Sequence, residues 1–264
     1  MTATPQDALA RIPGWEGASC SELSGGLTNR TWLVCTGGRK AVLKVDSTQR
    51  VAPFNERLAE QRIQTTAAEA GLAHRVLYAD ERTYLTEFVE GEVWVVNDFG
   101  IESNLEKLAQ LLRRLHSLPL SGRHFDAVDA AESYVARIDV RNSETAQRCV
   151  GIVQILHAPH NLCCCHNDLV AGNIVATPEL RLLDWEYACD NDPLFDLAIV
   201  VAHHELSERT AHVFLDQYFD GDGTRWREKL GQQMTLYNAL VWLWYASRPN
   251  PDPQQLMVFE SRLP

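Results

Sequence analysis

Several things are missing from this 264-residue chain. It has no apolar run near the ~18 residues that a membrane-spanning helix needs. The longest clean stretch near the C-terminus, ALVWLWYA at residues 239–246, is far too short. Basic residues are in deficit: 24 Lys and Arg stand against 35 Asp and Glu, a formal net charge of −11. That balance opposes a nucleic-acid backbone or an anionic membrane surface as the main partner. The opening MTATPQDALARIPGW lacks the basic start and apolar centre of an export signal, so a cytoplasmic setting is expected. No internal repeat and no low-complexity tract interrupts the sequence. The seven cysteines follow no zinc-ligand spacing. Three of them, Cys163, Cys164 and Cys165, are consecutive. Successive strand residues point to opposite faces, so all three cannot chelate one metal, and reduced, buried thiols are the expectation.

What is present divides into a β-rich start and a helical remainder. A short helix is expected over residues 5–11, with Pro5 in its first turn. CSELSGG, RTWLVCT and KAVLKV, separated by glycine turns, predict a three-stranded antiparallel meander. PFNERLAEQRIQTTAAEAG predicts a helix opened by Pro53 and stopped by Gly71. HRVLYAD and TYLTEFV predict two more strands. Beyond EGE, SNLEKLAQLLRRLHSLP is a strongly amphipathic helix, with Ser103 as the expected cap and Pro119 as the stop. Helical signal continues over roughly 128–157. Short strands follow in NLCCCH, NIVAT and LRLLDW, and helices dominate thereafter. The expected fold is α+β, with a small antiparallel-sheet lobe carrying one helix over 1–90 and a larger, mainly helical lobe over 91–264. A hinge is expected near 87–92.

The chemistry concentrates in CCCHNDLVAGNIVATPELRLLDWEYA, residues 163–188. Asp168, Asn173 and Asp184 sit around a loop and a strand turn that could bring them to one point. One carboxylate can orient an attacking hydroxyl and accept its proton. A carboxamide oxygen and a second carboxylate are hard ligands suited to Mg²⁺. Phosphoryl transfer needs this set, because its catalysis is mostly positioning and charge neutralisation. Taken singly, Asp168 reads better as a turn residue, Asn173 as a loop cap and Asp184 as a strand end, and it is their joint spacing that favours the chemical reading.

With HNDLVAGN and LLDWEYA in place, the chain resembles the aminoglycoside phosphotransferase and choline kinase superfamily of protein-kinase-like fold. DWEYA followed by NDPLFDLA is most similar to bacterial choline kinases and the related thiamine kinases. LSGGLTNRTWLV, AVLKV and LRRLHSLP stand in the matching order along nearly the whole chain. The resemblance implies ATP and Mg²⁺ as cofactors, Asp168 as the catalytic aspartate, and Asn173 and Asp184 as the metal ligands. His166 is expected to brace the loop and not to shuttle protons. Lys44, on a strand and facing opposite to Leu43 and Val45, would bind the α/β-phosphates. Its helix partner would be Glu60, with Glu56 the alternative. Ser24, Gly25, Gly26 and Asn29 would form the flap over the phosphates, although a plain hairpin turn explains SGGLTN equally. The backbone of Glu87 and Val89 would meet adenine.

The implied acceptor is a small-molecule alcohol. A peptide is disfavoured: Val170 stands where Ser/Thr kinases carry a basic residue, DWE replaces D-F-G, and no A-P-E-like segment follows. A quaternary ammonium such as that of choline would be held by aromatic faces and carboxylates. Glu186, Tyr187, His203 and Trp242 are the candidate acceptor residues, with Trp185, Trp244 and Tyr245 as further aromatics whose ordinary place is the core. His203 stands where similar kinases carry a Glu. Either Glu205 or Glu186 substitutes, or the acceptor is thiamine, another amino alcohol or a sugar alcohol. Adjacent His203 and His204 suggest a pH-sensitive pocket or plain helix surface more than a metal site. The reading from another class is a nucleotide-binding pseudokinase scaffold. A homodimer stays open.

Overall fold

The structure, a computed structural model, describes residues 4–23, 30–46, 56–139, 142–159 and 161–264. The chain divides into two compact units. The first is Met1–Val93 together with Ile174–Tyr187, and the second is Trp94–Asn173 together with Ala188–Pro264. The expected division near residue 90 differs in one respect: the segment Ile174–Tyr187 groups with the N-terminal unit.

The first unit is built on a five-stranded antiparallel sheet. Its strands are β1 (Ser19–Leu23), β2 (Arg30–Thr36), β3 (Arg39–Val45), β4 (Val76–Ala79) and β5 (Thr83–Glu87), in the spatial order β1-β2-β3-β5-β4. The β2–β3 register pairs Arg30 with Val45 and Thr36 with Arg39, and Gly37 (φ 52°) and Gly38 (φ 78°) supply the left-handed turn between them. Ala41, Leu43 and Val45 alternate into a core shared with Trp15, Trp32 and Leu85. The short helix α1 (Pro5–Leu9), capped by Thr4, packs Ala8 and Leu9 into the same core.

Helix α2 (Arg57–Glu69) ends where predicted, at Gly71 with φ 76°. Pro53, its expected opening, lies outside the described residues. The helix buries an unusual set of polar groups. Arg57 is 1% exposed and donates to Asp46 at 2.7 Å and to Glu60 at 2.6 Å, its guanidinium also facing the Tyr84 ring. Gln64 donates to the His74 carbonyl and accepts from the Tyr84 hydroxyl. Buried polar groups persist only when bonded in this way.

A second, three-stranded sheet joins β6 (Glu92–Val93) to β8 (Ile174–Ala176) and β9 (Leu180–Leu182). Gly91 permits this pairing, since a Cβ there would sit 2.4 Å from the Ala176 carbonyl oxygen.

The second unit is mainly helical. It holds α3 (Glu102–His116), α4 (Ala127–Val135), α5 (Ser143–Leu156), α6 (Pro193–His203), α7 (Glu208–Tyr218), α8 (Arg227–Ala246) and α9 (Pro253–Glu260). The strand pair β7 (Cys163–Cys165) and β10 (Cys189–Asn191) lies among them. Leu105, Leu108, Leu112 and Leu115 form the buried stripe of α3 at helical spacing. Ser103 does not cap this helix. A 3₁₀ turn over Val96–Gly100 feeds directly into it, and the extended residue at its start is Ile101. The helical run expected over 128–157 is two helices. Acids and a serine cap four of the other helices: Asp126 on α4, Asp192 on α6, Ser207 on α7 and Asp252 on α9. No helix among the described residues is long and apolar enough to cross a membrane.

Two outcomes follow from this packing. Replacing Arg57 with Leu strips the cation from two buried acids and should cost about 3–5 kcal/mol of stability. A urea unfolding midpoint equal to that of the parent protein would refute this.

His74 and His204 are both held down to about 4, chiefly by burial. Their unfolded forms take up protons from about 6.5 downward. The unfolded state therefore binds more protons between these values, and stability should fall as pH drops from 6.5 to 4. The slope should approach about 1.4 kcal/mol per pH unit for each group. Unfolding curves across that range, compared with those of His74→Gln, check it, since the variant should lose part of the slope.

Candidate active site

In the first unit, strand alternation puts Lys44 on the face of β3 opposite Leu43 and Val45. Its ammonium meets the Asp184 carboxylate at 2.6 Å, across 140 residues of sequence, and the lysine side chain is only 13% exposed. Burial alone would pull the Lys44 pKa down. Asp184, then Glu60 and Glu186, outweigh it, so the net shift is upward and the residue is a firmly held cation. The ion pair of Lys44 is thus with Asp184 and not with the expected Glu60, which pairs with Arg57 and acts on Lys44 through its field. Glu56 precedes α2, exposed, and makes no side-chain cap.

Asp184 sits at φ 59° just after β9, a left-handed conformation that Asp and Asn tolerate better than most residues. Trp185–Tyr187 follows as a 3₁₀ turn. Trp185 is fully buried, its indole N–H on the Leu182 carbonyl, which removes it from the acceptor candidates. Glu186 is 3% exposed and Tyr187 half-buried. Glu87 ends β5 and pairs with Arg75, while its backbone N–H donates to the Arg75 carbonyl. Val89 is half-buried in the irregular segment that follows. Ser24, Gly25, Gly26 and Asn29, the expected phosphate flap, lie outside the described residues.

In the second unit, β7 delivers the chain into the loop that carries Asp168. His166 is fully buried, and its backbone N–H donates to Asp196 Oδ2 at 2.9 Å. The Asn167 N–H donates to Asp196 Oδ1 at 2.7 Å, and Asn167 itself has φ 62°. Its side chain is fixed by Asn191 and by the Cys189 sulfur. One buried carboxylate thus grips both amides just before Asp168. Asn173, in a 3₁₀ turn over Ala171–Asn173, donates its carboxamide N–H groups to the Asp168 carbonyl at 2.9 Å and to Asp168 Oδ2 at 2.8 Å. That fixes the aspartate rotamer and turns the Asn173 carboxamide oxygen away from it.

Of the expected acceptor residues in this unit, His203 is half-buried at the end of α6, with Nδ1 2.8 Å from the Tyr237 hydroxyl. Burial, with Arg262 adding to it, keeps its pKa low, so the ring is neutral near pH 7. Tyr237 is a residue that the sequence reading missed. Burial pushes its phenol far up, and the charge of Asp168 pushes it further, which places the hydroxyl in the field of the catalytic candidate. Trp242 is 1% exposed, part of the core and not a ring open to a ligand. Trp244 lies under Arg248 and Tyr245 against Phe259, so the aromatics of α8 are occupied within the unit. Glu205 pairs with Arg262, and His204 is stacked on Phe99.

Asp196 was also missed as a site residue. Its sequence signal is one acid in an otherwise apolar helix, PLFDLAIVVA.

The chain is similar to several known proteins. Over 206 residues the chain is 27% identical to protein LicA of Haemophilus influenzae, a match that covers 74% of this chain and 61% of that protein. Over 122 residues it is 33% identical to the thiamine kinase of Shigella boydii serotype 4, covering 40% of this chain and 43% of the kinase. In fold it matches the choline kinase LicA of Streptococcus pneumoniae with a TM-score of 0.80 at 21% identity, over 97% of this chain and 95% of that one. The family model described as "Phosphotransferase enzyme family" matches residues 19–229, and with most of its length so covered the chain belongs to that family.

Proposed function

We propose that the chain is an ATP- and Mg²⁺-dependent kinase that phosphorylates a hydroxyl of a small amino alcohol, choline being the first candidate. The observation that carries this is the pairing of Lys44 with Asp184. A cation suited to phosphate is held against a carboxylate whose proposed task is the metal, and the lysine is kept charged with little of its side chain exposed. The names of the similar proteins support an alcohol acceptor.

Asn173 and Asp184 would hold Mg²⁺. The donor set fits: a carboxylate and a carboxamide oxygen are hard ligands, and the Asn173 amide nitrogen is already committed to Asp168. When bound, Mg²⁺ neutralises charge on the transferring phosphates. Asp168, its rotamer fixed by Asn173 and its backbone by the Asp196 grip, orients the acceptor hydroxyl and accepts its proton. Lys44 neutralises phosphate charge. Tyr237 and His203 supply neutral hydrogen-bonding groups in the neighbourhood of Asp168.

A second reading, a thiamine-type or sugar-type acceptor, draws on His203. Where a carboxylate would suit a cation, this unit offers a neutral imidazole, and Glu205 is turned to Arg262.

Incubation with Mg²⁺-ATP and a panel of choline, ethanolamine, thiamine and aminoglycosides should give ADP and a phosphorylated product with at least one amino alcohol. No turnover with any of them would favour the scaffold reading. Asp168→Asn should remove nearly all turnover while the far-ultraviolet circular dichroism stays that of the parent. Lys44→Met should lower kcat by about 10²-fold, the scale seen when one electrostatic stabiliser is removed. Full rates in either variant would show that the site has been misplaced.

A further inference from the structure

The cysteine run has a geometry that the proposed kinase chemistry does not use. In β7, Cys163 and Cys165 are two residues apart and share a face, while Cys164 points the other way. The two sulfurs are 3.5 Å apart. His116, at the end of α3, completes a trio in which one ligand atom from each residue lies within 4.8 Å of the others. Two sulfurs bound tetrahedrally to zinc at about 2.3 Å would be about 3.8 Å apart, so the observed pair needs to open by only a few tenths of an ångström. The group is enclosed: Cys165 is fully buried, Cys163 is 8% exposed and the His116 side chain 5%. Among the described residues, no other trio of His, Cys, Asp or Glu meets in this way.

We propose that Cys163, Cys165 and His116 form a site for a thiophilic d¹⁰ metal ion, Zn²⁺ or Cu⁺. Soft sulfur ligands select these ions over Mg²⁺ and Ca²⁺. The imidazole is already oriented as a metal ligand requires. His116 Nε2 rests on the buried Asp196 carboxylate at 3.1 Å, the carboxylate–histidine arrangement that fixes the tautomer and turns the other nitrogen to the metal. That other nitrogen, Nδ1, is 2.6 Å from the Tyr218 hydroxyl. With Nε2 held by Asp196, Nδ1 is the nitrogen left to offer a metal shared with the two sulfurs of the trio.

Ligation breaks two S–H bonds and would form two S–metal bonds and one bond from His116 Nδ1 to the metal. Both protons go to solvent, no electron moves, and the Tyr218 hydroxyl gives up Nδ1. The ion would sit one carboxylate away from the Asp168 loop, because Asp196 holds His116 and the amides of His166 and Asn167 together.

The test uses the purified full chain, reduced with a phosphine. Co²⁺ as the probe should produce thiolate-to-cobalt charge-transfer bands in the near ultraviolet, bleached by one equivalent of Zn²⁺, with two protons released in weak buffer. A parallel arm challenges Cu⁺-loaded protein with a chromogenic Cu⁺ chelator. Cys164→Ser should behave as the parent, whereas Cys163→Ser and Cys165→Ser should lose the bands and surrender Cu⁺. Cobalt on oxygen ligands gives no such bands, so a result here is independent of any Mg²⁺ site. If the serine variants fail to fold, alkylation of the parent protein mapped by mass spectrometry replaces them, with metal protecting Cys163 and Cys165 but not Cys20. Absence of the bands together with loss of Cu⁺ by the parent protein, bands that survive in both serine variants, or a lack of selective protection would each overturn the proposal.

Discussion

Asp196 has no exposed side-chain surface, yet it accepts the backbone N–H groups of His166 and Asn167 and holds His116 Nε2. A buried polar group left without its partners costs about 1–3 kcal/mol, so a carboxyl group persists in the interior only where such bonds satisfy it. The constraint works in both directions. The carboxylate is tolerated because the loop satisfies it, and the loop keeps its left-handed turn at Asn167 because the carboxylate holds both amides. Asn173 then secures Asp168 from the other end of the same loop. The position of the catalytic candidate is therefore set by a residue 28 positions away that faces no solvent.

The first unit solves a matching problem with charge. Three acids, Asp46, Glu60 and Asp184, stand on two cations, Arg57 and Lys44, in a region largely closed to water. Arg57 takes two of the acids, which leaves Lys44 aimed at Asp184. Strand alternation on β3 presents the lysine, and the left-handed turn after β9 presents the aspartate. The segment carrying Asp184 reaches this unit through the β6–β8 pairing, which a side chain at position 91 would obstruct.

Local patterns made much of this legible in the sequence. The meander showed through period-two alternation and glycine turns. The stripe of α3 showed through its leucines, and the loop motifs through residue types that few other chemistries require. Features that depend on a distant partner did not show. Nothing local marks Asp196 as the anchor of His166, or Tyr237 as the neighbour of Asp168. Lys44 was assigned to Glu60 because a helix glutamate is easy to find by spacing, whereas the structure has Arg57 occupying that glutamate. Ser103 has the right residue type for a cap, but the preceding 3₁₀ turn leads into a helix that starts at Glu102, with Ile101 in the cap position. Trp242 was drawn to the acceptor by its chemistry and is held in the core by its helix face. Alternation already separated the middle cysteine from its neighbours, but nothing local showed that His116 would meet the outer two.

The left-handed backbone at Asn167 and Asp184 bears on how substitution scans of this protein should be interpreted. At these two positions the side chain helps to determine the path of the main chain as well as its reactivity. An alanine there changes conformation and functional group together, and a β-branched residue changes conformation most of all. Exchange between aspartate and asparagine preserves the path and isolates the charge, and glycine preserves the path while removing the side chain. A scan limited to alanine would rank both residues as indispensable without distinguishing chemistry from geometry.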